Sequence, residues 1–288
     1  MKLFFYNLIS IVKIFYGELF NFRNPFKIRI FRILARTNLS KSFVSYYLKK
    51  RNNKKIITYK NNLVNINTEN SIINLNKDGI TLGISINDEA LNKIINYLND
   101  KNFNFNRDQK KKIKFQDRHK FKDLYILNYM NPHLENNTIK EILLNKEIIK
   151  VIKSYLGADP ILEWSQIYWS IPYKDDHGNF LSPPNNEFGY HYDIDGFKFV
   201  KIFFYLTEVN ENDGPHVFIK NTGKKTFFKA VNRRLSDSVV NEKFKGQSVT
   251  ITGKRGIGFI EDTSFYHKGT APINERGILT CLYNVSKW

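Results

Sequence analysis

The sequence predicts a mainly β protein with flanking helices, in which short strands build a β-sandwich or barrel. Short β-rich segments follow one another from Ile161 onward, separated by Pro, Gly, Asn and Asp, with no long helical pattern between them. Before Ile161, apolar residues recur at helical spacing. The 288 residues are 42% hydrophobic and 15% aromatic, which is enough to bury a full core in one or two domains.

The N-terminal segment is basic and aromatic. Apolar residues from Leu3 to Phe20 recur at three- and four-residue spacing, which predicts an amphipathic helix. Its longest uncharged run, Leu3 to Val12, is too short to cross a bilayer, which takes about 20 residues. Phe26 to Lys55 alternates aromatic and basic residues. Two interpretations of residues 1–55 stay open, a helical lid on the core or helices on an anionic membrane surface.

The net charge of +18 is concentrated at the N-terminus. Residues 1–60 contain fourteen Lys and Arg and one acid, Glu18, so they carry +13, and the other 228 residues carry only +5. The basic character therefore belongs to the N-terminal segment and not to the body of the protein. We expect no nucleic-acid partner.

The cellular compartment is predicted from cysteine usage and targeting signals. The chain has one cysteine, Cys281, so an intrachain disulfide is excluded, and no cleavable signal is recognisable. We expect a cytoplasmic protein, with the option of peripheral contact with a membrane surface. Cys281 lies in an apolar strand pattern and is interpreted as a small buried hydrophobe.

The boundary between the N-terminal segment and the main domain is predicted near residue 71. Residues 56–76 are polar and rich in Asn, which is typical of a linker or of edge strands. The chain is therefore divided into a basic, aromatic N-terminal helical segment with linker at 1–71 and a main domain at 72–288.

Within the main domain, Asn87 or Asp88 can cap a helix whose apolar residues, through Leu98, share one face. The charged run Lys110 to Lys120 predicts a solvated loop. The predicted strands are 161–171, 187–194, 198–207, 215–219, 225–231, 247–252, 256–261 and 277–285.

Two histidines and an aspartate form a candidate metal site. His191 and Asp193 are two residues apart, so in a strand both project from the same face and can reach one ion. His267 follows a second apolar strand. Two histidines and one carboxylate, with the other positions open, suit iron(II) that must bind a cosubstrate and oxygen.

Arg276 stands nine residues after His267, at the start of an apolar strand. An unpaired charge there is costly, and the planar guanidinium matches a carboxylate. The distal carboxylate of 2-oxoglutarate is such a partner.

In this order, His191-x-Asp193, a distant His267 and then Arg276 resemble the phytanoyl-CoA dioxygenase family of iron(II)/2-oxoglutarate-dependent oxygenases. Further matches are the turn Asn212 to Phe218 and the segment Gly258 to Ile260 that leads to His267. The resemblance covers roughly residues 72–288.

The resemblance implies a double-stranded β-helix, also called a jelly roll, of cupin-like type with helices packed outside it. It further implies Fe(II), 2-oxoglutarate as cosubstrate and O2, with hydroxylation of a C–H bond coupled to decarboxylation of 2-oxoglutarate to succinate. Gln166, Tyr168 and Ser170 share one face of a predicted strand. They either bind the proximal end of the cosubstrate or are polar residues of the barrel wall.

The sequence departs from the family at Tyr192, where Gln is frequent, and at Lys220 to Gly223, where Pro-Gly-Ser-His is frequent. These differences concern the substrate pocket, and the substrate is expected to be a small molecule, a lipid or a lipid-linked compound. Asp193 favours hydroxylation over halogenation, and Leu282 stands where nucleic-acid demethylases commonly have a second Arg.

Two alternatives to the dioxygenase remain: a non-catalytic binding protein on the same barrel, and a metal-dependent isomerase or lyase that needs no 2-oxoglutarate. Four histidines have no role in any of these interpretations and are expected to be structural or exposed: His119, His133, His177 and His216.

Overall fold

The computed structural model describes residues 56–181, 189–224 and 226–285, together with eight single residues between Arg32 and Lys50. The predicted helix from Leu3 to Phe20 and most of the segment from Phe26 to Lys55 lie outside these residues. No helix within the described ranges is long and apolar enough to span a bilayer.

Two antiparallel sheets form the body of the protein. The larger has nine strands in the order β1-β2-β12-β8-β14-β6-β5-β3-β4, and the smaller has five in the order β10-β7-β13-β9-β11. Strands of the larger sheet are β1 (Val64–Asn65), β2 (Ile80–Ile86), β3 (Asn102–Phe105), β4 (Asp108–Lys114), β5 (Ile126–Met130), β6 (Ile161–Ser170), β8 (Phe199–Tyr205), β12 (Ile257–Glu261) and β14 (Arg276–Asn284). Those of the smaller sheet are β7 (Tyr190–His191), β9 (His216–Ile219), β10 (Arg234–Leu235), β11 (Ser248–Ile251) and β13 (His267–Gly269).

The two sheets pack against each other through a shared apolar cluster. Phe203 and Phe259 of the larger sheet belong to the same buried cluster as Phe218 and Ile251 of the smaller one. The Tyr205 hydroxyl donates to the backbone oxygen of Ile251 at 2.9 Å, so a hydrogen bond also joins the sheets. The predicted mainly β architecture with flanking helices is confirmed, and its two facing antiparallel sheets are consistent with a jelly roll.

Helices cover the outer face of the larger sheet. These helices are α1 (Thr68–Asp78), α2 (Asp88–Leu98), α3 (Asn137–Leu143) and α4 (Lys146–Leu156). Two later helices, α5 (Phe227–Val231) and α6 (Asp237–Lys243), pack instead against an apolar cluster that includes residues of the smaller sheet. The helix predicted from Asn87 is α2, and the Asn87 side chain accepts a hydrogen bond from the backbone N–H of Ala90 at 2.8 Å. Apolar residues of α2, α3 and α4 share one buried cluster with residues of β6, β8 and β14.

Three local predictions are wrong. Residues 56–76 contain not only the edge strand β1 but most of helix α1, because Asn67 caps its first turn and Leu75 is buried. The run Lys110 to Lys120 forms most of β4 and a 3-10 helix at Phe115–Lys120, since β4 pairs with β3 and buries Ile113. Part of 225–231 is helix α5, whose N-terminus is capped by the Thr226 hydroxyl.

The other predicted strands are present, with ends shifted by one or two residues. The exception is 187–194, where the strand comprises Tyr190–His191 alone among the described residues, and 182–188 lie outside them. Strand β14 is central in its sheet, pairing with both β6 and β8, and all nine of its residues are buried.

Candidate active site

The three predicted metal ligands come together at one end of the smaller sheet. His191 of β7 and His267 of β13 are cross-strand partners, and their ring centroids are 4.5 Å apart. Asp193 Oδ1 lies 3.8 Å from His191 Nε2, and Asp193 Oδ2 lies 3.6 Å from His267 Nε2. One ligand atom from each residue falls within 4.8 Å of the others, so the group can hold a metal ion.

The two-residue spacing predicted that Asp193 lies in the same strand as His191, and this prediction is wrong. Asp193 follows the end of β7, and its backbone N–H donates to the oxygen of Thr263 at 2.8 Å. The loop that carries it closes against Asn284 of β14, whose Nδ2 donates to the oxygen of Asp195 at 2.7 Å. A Cβ on Gly196 would lie 2.5 Å from Asn284 Nδ2, so the close approach requires glycine here.

The imidazoles of His191 and His267 are oriented for ligation through Nε2. His191 Nδ1 is 2.9 Å from the oxygen of Gly189, and His267 Nδ1 is 3.0 Å from that of Phe265. A carbonyl accepts only from N–H, so Nδ1 carries the proton and Nε2 presents a lone pair. Burial lowers the pKa of His191 and lowers that of His267 to about 4, which keeps both rings neutral near pH 7.

Lys201 of β8 holds the carboxylate of Asp193. Its Nζ donates to Asp193 Oδ2 at 2.8 Å and to Asp195 Oδ2 at 2.6 Å, and its side chain is only 12% exposed. Burial disfavours the charged forms of Asp193 and Lys201, but their mutual attraction is stronger, so the pKa of Asp193 falls and that of Lys201 rises. Asp195, two residues after Asp193, is thus also part of the site. A single lysine in the apolar strand Phe199–Tyr205 was the available signal.

Arg276 lies buried at the start of β14, opposite Ser170 of β6. Its Nη2 donates to Ser170 Oγ at 3.3 Å. Its Nε and Nη1 are buried and have no hydrogen-bond partner within the described part of the chain. Desolvation lowers the pKa of Arg276, yet a guanidinium remains charged at neutral pH. Two unpaired donors on a buried cation fit an anionic ligand.

The triad and Arg276 open on one cavity of about 290 Å³. Tyr168 and Ser170, predicted as cosubstrate residues, line it, whereas the third, Gln166, is buried and is not among the lining residues. The other described residues that line the cavity are Arg107, Ile126, Trp164, Lys201, Phe203, His216, Arg234, Gly269, Ile278 and Thr280.

His216, expected to be structural, is a wall of this cavity beside His267. The two rings stack with centroids 5.4 Å apart, and His216 Nε2 lies 3.0 Å from the carboxylate of Glu261. Burial raises the pKa of Glu261 to about 8 and lowers that of His216 to about 3, so burial disfavours the charged form of both members of this pair. A carboxylate in the apolar strand Ile257–Glu261 was the signal for this pair.

No family model matches the sequence, and no curated protein matches it. Solved structures do match. EctD from S. alaskensis with bound Fe has a TM-score of 0.53 and 14% identity, covering 80% of this chain and 80% of that chain. The non-heme alpha ketoglutarate dependent carbocyclase SnoK, from nogalamycin biosynthesis, has a TM-score of 0.53 and 12% identity over 75% of this chain and 83% of that chain. The chain shares their fold.

The epimerase SnoN, described as non-heme and alpha ketoglutarate dependent, has the same fold, with a TM-score of 0.51 and 11% identity over 75% of this chain and 82% of that chain. At these identities the likeness concerns architecture alone, and the narrower resemblance to the phytanoyl-CoA dioxygenases remains an interpretation of the sequence motifs. What the site itself offers is two neutral imidazoles and one carboxylate, beside a buried arginine two of whose donors have no partner among the described residues.

Proposed function

We propose that this protein is an iron(II)- and 2-oxoglutarate-dependent dioxygenase that hydroxylates a small-molecule, lipid or lipid-linked substrate. His191, Asp193 and His267 would hold the metal, and Arg276 would bind the distal carboxylate of 2-oxoglutarate. One observation carries the proposal: the triad opens on the same cavity as an arginine that has two buried donors with no partner in the described ranges.

The donor set fits iron(II). Two neutral imidazoles and one carboxylate approach from one side, which is the ligand set of non-haem iron sites with open positions. A structural zinc site would have a fourth protein ligand, and the cluster found among the described residues has three. When bound, iron and 2-oxoglutarate supply the activation of O2, one oxygen atom going to succinate and the other to the substrate, with release of carbon dioxide.

The chain's own residues bind and orient. Arg276 supplies a guanidinium at the depth of the cavity, with Ser170 beside it, and Tyr168 is a candidate for the other end of the cosubstrate. Gln166 is a weaker candidate for binding the cosubstrate, since it does not line the cavity. Lys201 keeps one oxygen of Asp193 in a hydrogen bond and so limits how that carboxylate can turn.

The three similar structures support a 2-oxoglutarate-using enzyme but not one reaction. Their names describe an epimerase, a carbocyclase, and EctD bound to 2-oxoglutarate and 5-hydroxyectoine. Hydroxylation is proposed here because Asp193 is present, where halogenating relatives of the family have a small residue. An isomerase or lyase without 2-oxoglutarate would leave the buried donors of Arg276 unexplained.

The test is an anaerobic titration of the full chain with iron(II) and then 2-oxoglutarate, followed by visible absorbance. A chelated cosubstrate gives a weak charge-transfer band, and we expect this band only when both are present. On admission of O2 with substrate, succinate should form. A protein that binds iron(II) with no effect of 2-oxoglutarate would be a metal-dependent enzyme of another class, and one that binds neither would be a non-catalytic barrel.

We further propose that the chain consists of an N-terminal helical segment and a dioxygenase domain, with the boundary near residue 56 instead of the predicted 71/72, because β1 and α1 belong to the folded domain. Residues 1–55 would bring the enzyme to an anionic membrane surface, where a lipid or lipid-linked substrate would be found. The support is the charge distribution, with +13 on the first 60 residues and +5 on the rest.

A further inference from the structure

We infer that the hydroxyl of Thr280 binds the keto acid end of 2-oxoglutarate, at the side of the cavity away from Arg276. The inference rests on the proposed function, which supplies the cosubstrate. It depends on one observation about the described residues that line the cavity. Arg276 and Thr280 are the two among them that have buried polar atoms without a hydrogen-bond partner in the described part of the chain.

The hydroxyl of Thr280 is buried without a partner among the described residues. Thr280 is 1% exposed, and the residues directly opposite it are Phe203 of β8 and Gln166 of β6. A buried hydroxyl that makes no hydrogen bond costs free energy, whereas valine fills nearly the same space and has no hydroxyl. Packing of the barrel alone would therefore favour valine here. The hydroxyl becomes useful when a ligand with hydrogen-bond acceptors enters the cavity.

Strand β14 places Thr280 and Arg276 at different ends of the cavity. Arg276, Ile278 and Thr280 all line it, because alternate residues of a strand project from the same face. Arg276 and Thr280 are four residues apart, which separates their Cα atoms by about 13 Å in an antiparallel strand. The Arg276 guanidinium stays at its own end of β14, where Nη2 donates to Oγ of the directly opposite Ser170. Thr280 is therefore placed for a different part of the ligand than the carboxylate that Arg276 would bind.

Thr280 lies on the side of the cavity where the metal ligands are held. Its cross-strand partner Phe203 is two residues from Lys201 on β8, and both of these side chains line the cavity. Lys201 Nζ donates to Asp193 Oδ2 at 2.8 Å. Diagonal neighbours on paired antiparallel strands are about 7–8 Å apart. Thr280 is thus a diagonal neighbour of the lysine that holds one of the three candidate metal ligands.

The chemistry of 2-oxoglutarate matches both of these groups on β14. Its distal carboxylate fits the guanidinium of Arg276. Its other end is a keto group beside a carboxylate, which offers acceptors and no donor. A threonine hydroxyl can rotate to donate to such an acceptor. Thr280 would therefore position the keto acid end on the metal side, while Arg276 would bind the far end of the five-carbon chain.

The test separates the two ends of the cosubstrate with a pair of ligands. 2-Oxopentanoate has the five-carbon chain and the keto acid of 2-oxoglutarate but no distal carboxylate. Binding of each ligand to the full chain saturated with Mn(II) is measured by calorimetry. We expect T280V to weaken both ligands about tenfold, since each loses a hydrogen bond to its charged keto acid end. R276Q should weaken 2-oxoglutarate at least about tenfold and leave 2-oxopentanoate unchanged.

T280S keeps the hydroxyl and should bind both ligands as the wild type does. T81V is the matched control, because Thr81 is also buried in the larger sheet but does not line the cavity. Melting temperatures without ligand verify that each variant is folded, and T280A replaces T280V if the latter is not. If T280V binds both ligands as tightly as T81V, or loses affinity for 2-oxoglutarate alone, the inference is overturned and the proposed function stands. If the wild type does not bind 2-oxoglutarate, the proposed function fails and the inference fails with it.

Discussion

The two faces of strand β14 differ in almost every property. Leu279, Cys281 and Tyr283 face outward into the apolar cluster that includes helices α2, α3 and α4. Arg276, Ile278 and Thr280 alternate with them and line the cavity. The outer residues pack mainly against apolar side chains and so stabilise the fold. The inner face, in contrast, includes buried polar atoms of Arg276 and Thr280 that have no hydrogen-bond partner within the described part of the chain. Because side chains alternate along a strand, the outward-facing residues of β14 stabilise the fold and its inward-facing residues line the candidate site.

The comparison predicts that removing a metal ligand abolishes iron(II) binding and leaves the fold intact. His191→Ala, Asp193→Ala or His267→Ala should each abolish iron(II) binding and succinate production, because three ligands are the minimum for such a site. Metal binding is measured by dialysis with iron analysis, and folding by circular dichroism. His177→Ala is the control, since His177 is an exposed loop residue. Near-native succinate production by any triad variant would contradict the assignment.

Lys201→Met changes a residue that lines the cavity, yet it should also lower the stability of the fold. Without Lys201, Asp193 and Asp195 lose their common partner, which for a buried pair costs about 3–5 kcal/mol. A bound cation can replace the lost charge, so Mn(II) should raise the melting temperature of the variant more than that of the wild type. Lys93→Met removes an exposed pair with Glu89 and should change stability far less, because water screens a pair at the surface. Equal effects of the two substitutions would refute the role given to Lys201.

A substitution on the outer face of β14 should lower the stability of the fold and leave metal binding unchanged. Leu279→Ala should lower the free energy of unfolding by about 2–5 kcal/mol, because Leu279 is fully buried in the outer cluster. At a temperature where the variant is folded, its affinity for iron(II) should be unchanged. Thr280→Val is the adjacent inner-face control. The Thr280 hydroxyl has no hydrogen-bond partner among the described residues, so its loss should change stability by less than about 1 kcal/mol. Denaturant titration distinguishes the two.

Arg276→Ala separates cosubstrate binding from metal binding. It removes a charge-assisted bidentate contact worth roughly 1.5–3 kcal/mol, so the apparent dissociation constant of 2-oxoglutarate should rise by about ten- to a hundredfold. Iron(II) affinity should change far less, because Arg276 is not a ligand. An unchanged constant for 2-oxoglutarate would remove Arg276 from the cosubstrate site.

The N-terminal segment is expected to give the smallest and most salt-dependent effect. Each basic residue near an anionic surface contributes about 1 kcal/mol, and salt screens it over a Debye length of about 10 Å at 0.1 M. Co-sedimentation should recover the full chain with anionic vesicles and not with neutral ones, and a chain starting near Ile56 should lose the difference. If both vesicle types recover the protein equally, the helical-lid interpretation is favoured.

Local spacing determined much of the candidate site. His191 and Asp193, the distant His267 and the spaced Arg276 were recognisable from the sequence, because each precedes or follows an apolar strand pattern. The helix capped by Asn87 and most strand positions were predictable for the same reason: the signals lie within a few residues of one another. The structure brings all four site residues to one cavity.

Only the tertiary structure decided the partners of those residues. Lys201 pairs with Asp193 at 2.8 Å, Glu261 lies beside His216, which is 45 residues away in the sequence, and Arg234 stands opposite His191 through strand register. Gln166 shares a strand face with Tyr168 yet is excluded from the cavity lining. Such pairings depend on which strands become neighbours and in which register. Strands that pair in this fold are far apart in the sequence, so a local pattern does not show which residues stand opposite each other.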